Sequence, residues 1–204
     1  MNIITKWDYL KKRHSPQRKN IKYLKKLYKK NSKSDEFIIN LVLYKYEDIF
    51  NIYDNRPYHN KKLNNEVKDF LQQSFRDIPN LFDIELRITI LDENKSETME
   101  KNIIRAIKNT YNFDSKYLLR NFNRMRIKVM IYILIAIALL GAGYIFEETS
   151  LKRVLVESVS IGGWVFLWEA IHIVFMDRYD LLYELNNTMR SADSNIIFNY
   201  SNKN

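Results

Sequence analysis

The sequence predicts an α+β membrane protein, in which a small β-α-β-α cytoplasmic domain is followed by a two-helix transmembrane hairpin. Its C-terminal strand is expected to return to the sheet of the domain. Three observations support this fold class. Residues 129–146 contain no charge, residues 83–91 alternate apolar and polar side chains, and twelve of the 33 Lys and Arg residues lie in positions 1–34. A length of 204 residues suits one small domain with an appendage.

Composition excludes several classes of functional site. The chain has no cysteine, so disulfides, zinc–thiolate sites and cysteine nucleophiles are ruled out. All four glycines lie between positions 141 and 163, which leaves no glycine-rich turn elsewhere to cradle a nucleotide phosphate. No nucleophile with an adjacent base stands out. We therefore expect a non-enzymatic protein without a catalytic residue, metal or cofactor.

The first 34 residues form a basic segment with twelve Lys and Arg residues and one acid, Asp8. A helix over residues 18–31 would be amphipathic, with Ile21, Leu24, Leu27 and Tyr28 on its apolar side. We expect its lysines to contact anionic lipid of the inner leaflet: Lys19, Lys22, Lys26, Lys29 and Lys30. A solvated tail and nucleic acid are the alternatives. Nucleic acid is disfavoured because no recognisable nucleic-acid fold accompanies the charge.

Residues 35–120 are predicted to form the cytoplasmic α/β domain. Residues 37–44 are apolar on both alternating faces, which is typical of an inner strand, and residues 83–91 have one apolar and one polar face. A helix between them is capped by Asn64 or Asn65. A second helix begins near Asn94 or Ser96. Its predicted buried residues are Met99, Ile103, Ala106, Ile107 and Thr110.

Residues 125–176 are predicted to be the transmembrane hairpin, with spans at about 127–146 and 154–176. The seven residues Glu147–Arg153 join the two spans, so the helices must be antiparallel neighbours. Small residues at four-residue spacing are expected to pack the spans together: Ala138 with Ala142, and Ser158 with Gly162. Four basic residues precede the first span and place both termini in the cytoplasm: Arg120, Arg124, Arg126 and Lys128.

Residues 177–204 are predicted to return to the cytoplasm as a helix over 180–190 and a strand over 195–200. Because two strands alone make a marginal sheet, we expect this last strand to pair with the strands of the domain.

A resemblance to a family supports this architecture. The loop Glu47–Pro57 resembles an acidic–aromatic–Asp-x-Arg-Pro loop in a group of uncharacterised bacterial two-span membrane proteins, which share a small N-terminal cytoplasmic α/β domain. The stretch Gly163–Trp168, followed by Asp177, resembles the second span of that group and its exit. The similarity covers residues 37–200. Tyr53 stands where the group has Phe, and the exit lacks the group's tryptophans. The resemblance implies a bacterial cytoplasmic-membrane protein and supplies no mechanism.

Two clusters are candidate sites. Glu157, Glu169 and His172 share one face of the second span, where they could serve helix pairing, oligomer contact, conduction or metal binding. The loop after the first strand gathers further polar residues: Asp48, Asp54, Arg56 and His59. That end of a strand is where α/β sheets bind ligands. An Asp–Arg pair that holds a proline turn is the structural alternative.

The first functional hypothesis is a non-enzymatic binding, scaffold or sensing module that the hairpin anchors to the lipid bilayer and that recognises an unknown protein partner. The alternative is an oligomeric pore or membrane-disrupting effector, for example in anti-phage defence, in which several hairpins assemble. A membrane-bound enzyme of unknown reaction ranks third.

Overall fold

The structure is a computed structural model that describes residues 21–31, 34, 36–145 and 150–201. The chain divides into two compact units. One comprises Met1–Ser115 together with Asn186–Asn204, and the other comprises Lys116–Leu185. The lipid-contact prediction for Lys19 and the predicted loop residues 147–149 lie outside the described residues.

The first unit is built on a four-stranded sheet. Its elements are α1 (Ile21–Leu27), β1 (Lys29–Lys30), β2 (Phe37–Leu43), α2 (Asn65–Asp77), β3 (Ile84–Ile90), the start of α3 (Glu97–Ile145), the end of α5 (Arg178–Asp193) and β4 (Asn195–Tyr200). The strand order is β1-β2-β3-β4, with β1 antiparallel to β2 and the other pairs parallel. The predicted return of the C-terminal strand to the sheet is therefore confirmed.

The strand register aligns the apolar side chains on one face. Phe37 pairs with Ile84, and Leu86 pairs with both Ile39 and Ile196. Helices α2 and α3 supply the other half of the core through Leu71, Phe75, Ile103 and Ile107, which are all at most 1% exposed. The opposite face is more open, because Val42 on β2 is 58% exposed. Strand β2 is thus an inner strand, as predicted, but only one of its faces is fully buried.

Two helix starts depend on side-chain caps. Asn64 caps α2, as predicted, because its Oδ1 accepts a hydrogen bond from Glu66 N at 3.0 Å. Helix α3 begins after Ser96, whose Oγ accepts from Met99 N at 3.4 Å. Of the two predicted starts, Ser96 is therefore the cap.

The predicted helix over 18–31 is too long at its C-terminal end. Helix α1 ends at Leu27, because Lys29 and Lys30 leave it to pair with Ile38 and Phe37. Leu24 is 4% exposed and belongs to the core of the domain. Tyr28 packs on that core and donates a hydrogen bond to Asp77 Oδ2 at 2.9 Å.

Arg190 joins α5 to the end of α2. Its guanidinium donates to four backbone carbonyls, those of Phe75, Ile78, Pro79 and Phe82. The last carbonyls of a helix have no partner within the helix and carry partial negative charge, so an arginine satisfies them well. This contact fixes the chain direction immediately before β4.

The second unit is a pair of long helical segments. It contains the C-terminal part of α3, then α4 (Ser150–His172), and α4 continues through a π-helical segment, Ile173–Asp177, into α5. Both helices are long and apolar enough to cross a membrane. The second apolar segment does not end in a break near position 176, because the helix runs on through the π-helical residues to Asp193.

The two helices of this unit pack at Gly163. A Cβ atom at this position would lie 2.7 Å from Leu140 Cγ and 3.3 Å from the Ala136 carbonyl oxygen. Ala136 and Ala170 are at most 2% exposed at this contact. Of the predicted small residues, Ala138 and Ser158 are exposed, and Ser158 Oγ donates to Val154 O of its own helix at 2.8 Å. Gly162 does face the first helix, because a Cβ there would lie 3.7 Å from Leu139 Cδ1.

Candidate functional site

The loop after β2 is closed at its base. Ile49, Phe50 and Leu63 are at most 2% exposed, and Phe50 forms an isolated antiparallel bridge with Leu63. Asn51 N donates to Lys62 O at 2.9 Å, one step further out. Residues 51–62, here called the binding loop, therefore leave the domain and return to it at one point, as in an Ω-loop.

Asp54 organises the interior of the binding loop. Its carboxylate accepts from Arg56 Nη2 at 2.7 Å and Nε at 2.9 Å, and from the backbone N–H of Lys62 at 2.7 Å. The Arg56 guanidinium, and after it the Lys62 N–H, hold the pKa of the Asp54 carboxyl well below its usual range. Asp54 therefore stays ionised and ties the tip of the loop to its base.

The other two predicted loop residues do not join this pair. Asp48 Oδ2 accepts from the backbone N–H of Lys45 at 2.8 Å, in the 3₁₀ turn Tyr46–Ile49. His59 is held by its backbone, because its carbonyl accepts from Asn109 Nδ2 at 3.0 Å. The structure thus brings together Asp54 and Arg56 only, in the Asp–Arg arrangement that holds a turn.

The binding loop nevertheless presents an open cleft of about 420 Å³. Its lining residues are Asn51, Tyr53, Asp54, Arg56 and Lys62. At the tip of the loop, Ile52 is 81% exposed and Tyr53 is 90% exposed. Exposed apolar and aromatic side chains beside an arginine are typical of surfaces that bind a peptide or a protein. The cleft lining contains no nucleophile–base pair.

A tyrosine network at the carboxyl ends of the strands was not predicted. The hydroxyls of Tyr46 and Tyr200 lie 2.8 Å apart, Tyr200 donates to Glu100 Oε1, and Ser96 N donates to Tyr46 Oη at 3.0 Å. Burial, then the Glu100 carboxylate and Tyr46, raise the pKa of the Tyr200 hydroxyl. This network fastens the end of β4 to the start of α3. The network could have been predicted from the pairing of β4 with β3, because that pairing brings Tyr200 to the carboxyl end of β3.

The polar residues of α4 lie away from the contact with α3. At 100° per residue, His172 and Glu169 lie about 60° and 120° from Glu157, whereas Gly163 lies about 240° from it. Glu157 and His172 are exposed and Glu169 is half-buried. His172 Nδ1 is 4.0 Å from Asp177 Oδ1. No group of three metal-ligating side chains occurs in the described part of the chain.

The lysines predicted to contact lipid are divided between two elements. Lys22 and Lys26 belong to α1, and Lys26 is exposed. Lys29 is exposed on β1, whereas Lys30 Nζ lies 5.6 Å from the ring centre of Phe37 and 5.4 Å from that of Phe82. Lys30 is thus placed against the domain.

Comparisons with known proteins identified no relative of this chain. No protein-family model, no curated protein and no solved structure matches the chain.

Proposed function

We propose that the protein is a non-enzymatic binding, scaffold or sensing module that a two-helix hairpin anchors in a bacterial cytoplasmic membrane, with both termini inside. One observation carries the proposal. The chain leaves the sheet after β3, passes through both long apolar helices and returns as β4, which pairs with β3. The apolar helices are therefore an insertion within one domain, whose sheet depends on their return.

Charge distribution supports the anchor and its direction. The apolar windows of the two helices are only 6% and 17% buried within the described part of the chain. A bilayer would cover their exposed apolar side chains. Arg120, Arg124 and Arg126 precede the first window, and basic residues favour the cytoplasmic side. The likeness of Glu47–Pro57 to the bacterial two-span family agrees with this proposal.

Membrane anchoring is tested by carbonate extraction of isolated membranes. We expect the intact chain to stay in the pellet and to require detergent for release. Recovery in the carbonate supernatant would contradict the anchor.

Topology is tested with single cysteines, since the chain has none. A membrane-impermeant maleimide added to intact cells is expected to label Lys152→Cys in the first turn of α4 and not Lys95→Cys in the domain. The same two variants must both react after lysis in detergent. Labelling of Lys95→Cys in intact cells would reverse the orientation.

Partner binding by the loop is tested by a photo-crosslinking residue at Tyr53 in cells. We expect a defined crosslinked product that disappears when Lys62 is changed to Glu, because that change reverses a charge in the cleft lining and keeps the Asp54–Arg56 pair. The matched position is Phe113, which is 66% exposed on α3 and away from the loop in sequence. Equal products from both positions would remove the loop from recognition.

A second candidate function, an oligomeric pore or membrane-disrupting effector, is favoured by the polar face of α4. Ionisable residues within a membrane normally face protein or water. Glu169 and His172 point away from the contact at Gly163, so a second copy or a water-filled interior would have to accommodate them.

If hairpins conduct, overexpression depolarises cells and Glu169→Gln reduces that effect. Glu97→Gln at the start of α3 is the control. Unchanged depolarisation by the Glu169 variant would exclude this carboxylate.

A further inference from the structure

Strand β4 lies at the edge of the sheet that the described residues form. Among the described residues it pairs only with β3, on one side. Ser201 N donates to Ile90 O at 3.0 Å, and this bond determines which backbone groups of β4 face β3 in the parallel pair. The backbone groups of Asn195, Ile197 and Asn199 therefore face β3. Those of Ile196, Phe198 and Tyr200 face outward, away from the sheet.

This edge lacks the features that normally prevent strand addition. Natural edge strands are protected by charged residues, proline, bulges or shortness. The six residues Asn195–Tyr200 include no charge, no proline and no glycine, and the strand pairs with β3 in an unbroken register. An uncharged edge of this length is a template for a further strand.

The residue pattern of β4 indicates which strand could pair with this edge. Around Ile197 the sequence is chemically symmetric, with Ile196 and Phe198 as the inner neighbours and Asn195 and Asn199 as the outer ones. If a second β4 runs antiparallel about a two-fold axis at Ile197, Ile196 meets Phe198 and Asn195 meets Asn199. Apolar side chains then oppose apolar ones and amides oppose amides, on matching faces of both sheets.

We propose that two copies of the chain join through β4, antiparallel and with the two-fold axis at Ile197, into one continuous sheet. The outward backbone groups agree with this register. Ile196 and Phe198 of opposite copies form hydrogen-bonded pairs, and the two Ile197 residues form a non-hydrogen-bonded pair with Cα atoms about 4.5 Å apart. The proposal rests on the edge of the sheet and not on the proposed function.

Single cysteines test the register in the full 204-residue chain, purified in detergent. A Cα separation of about 4.5 Å allows a disulfide, so Ile197→Cys is expected to form a covalent dimer under mild oxidation. Asn199→Cys is not, because it faces Asn195 of the other copy. Crosslinking of Asn199→Cys alone, of neither variant, or only of the double variant Ile197→Cys/Asn199→Cys would overturn the proposed axis.

A charge introduced at the two-fold axis tests the association of the two copies. In Ile197→Lys two ammonium groups would oppose each other across the interface, and we expect the dimer dissociation constant to rise about tenfold or more. Val42→Lys is the matched control, because Val42 is exposed on the same face of the sheet but lies on β2. Masses from sedimentation equilibrium, with thermal melting to verify folding, should give a dimer for the unmodified chain and for Val42→Lys. A monomeric unmodified chain, or a dimer that Ile197→Lys leaves unchanged, would contradict the proposal.

Discussion

Tyr111 is a buried residue whose hydroxyl group is unsatisfied among the described residues. Its side chain is 2% exposed on α3 and its ring packs edge-on against Phe75, with ring centres 5.9 Å apart. In the described part of the chain its hydroxyl is buried without a hydrogen-bond partner. An unsatisfied buried hydroxyl costs about 1–3 kcal/mol, whereas the ring contributes apolar contact.

Replacing Tyr111 with Phe is therefore expected to stabilise the domain by about 1 kcal/mol, because the change removes the unsatisfied hydroxyl and keeps the ring. Denaturant unfolding measures the effect. Tyr46→Phe is the contrasting variant, since the Tyr46 hydroxyl has hydrogen-bond partners in Tyr200 and Ser96, and its loss should destabilise. Destabilisation by Tyr111→Phe would indicate that the hydroxyl has a partner.

Tyr111 and Tyr200 have raised pKa values, which makes the stability depend on pH in the alkaline range. Burial raises the pKa of Tyr111 and of Tyr200, and the Glu100 carboxylate adds to the effect at Tyr200. The folded chain therefore keeps protons that the unfolded chain loses near pH 10. The stabilisation is complete below about pH 10 and is lost as the pH rises towards the folded pKa values.

We accordingly expect the free energy of unfolding to fall above about pH 10, and to fall less steeply in the double variant Tyr111→Phe/Tyr200→Phe. Urea unfolding between neutral and alkaline pH measures both slopes. Tyr53→Phe, at a side chain that is 90% exposed, is the control. Identical slopes in all three proteins would show that these two hydroxyls do not govern the alkaline transition.

At the scale of elements, two contacts between helices or turns depend on a single residue. Arg190 on α5 satisfies carbonyls at the end of α2 and in the turn that precedes β3. Gly163 on α4 allows the close approach of α3 at Leu140. Neither residue could be replaced by one of similar charge or size. The Arg190 contact needs the guanidinium fork, and the Gly163 contact needs the absence of Cβ.

Arg190→Lys is expected to lower the free energy of unfolding by about 2–3 kcal/mol, because one ammonium cannot serve four carbonyls and leaves several without a partner. Arg105→Lys, at an exposed position of α3, should have little effect. Thermal and denaturant unfolding compare the two. Equal stabilities would show that the fork is not required.

Gly163→Ala is expected to weaken the packing of the two long helices, by about 1–3 kcal/mol as an overpacked contact. Its Cβ would lie 2.7 Å from Leu140 Cγ, whereas a Cβ at the neighbouring Gly162 would lie 3.7 Å from Leu139. Gly162→Ala is therefore the control for the lost glycine. Melting of the purified chain in detergent measures both. A melting temperature for Gly163→Ala equal to that of Gly162→Ala would contradict the close contact.

For the whole molecule, the sheet depends on residues from both ends of the chain. Deleting residues 193–204 removes β4 and its Tyr200 hydroxyl from the network with Tyr46 and Glu100. We expect the truncated domain to lose protease resistance. A chain that ends after Ser201 keeps the strand and should resist cleavage. Equal resistance of the two truncated chains would show that β4 is dispensable.

The sequence predicted the larger elements because their apolar patterns are local. Alternation identified β3, a run that is apolar on both faces identified β2, and the uncharged run at 129–146 identified the first long apolar helix. Strand β1 escaped prediction because two lysines carry no alternating pattern, and their pairing depends on backbone groups of β2.

Contacts between elements were harder to predict. Small residues occur at several helical positions, and only the register of α3 against α4 selects Gly163 rather than Gly162. In the binding loop, the Asp54–Arg56 pair follows from proximity in sequence. The bond from Lys62 N to Asp54 depends on the closure of the loop by Phe50 and Leu63, which no local pattern reveals.

The adjacency of β3 and β4 has a consequence for biosynthesis. During translation the ribosome delivers β3 early, but β4 emerges only after residues 91–194, including both long apolar helices, have been made. Until then β3 offers an unfilled position that other strands in the cell could occupy. The domain can therefore complete its sheet only after both apolar helices have left the ribosome. Its final folding depends on correct delivery of these helices.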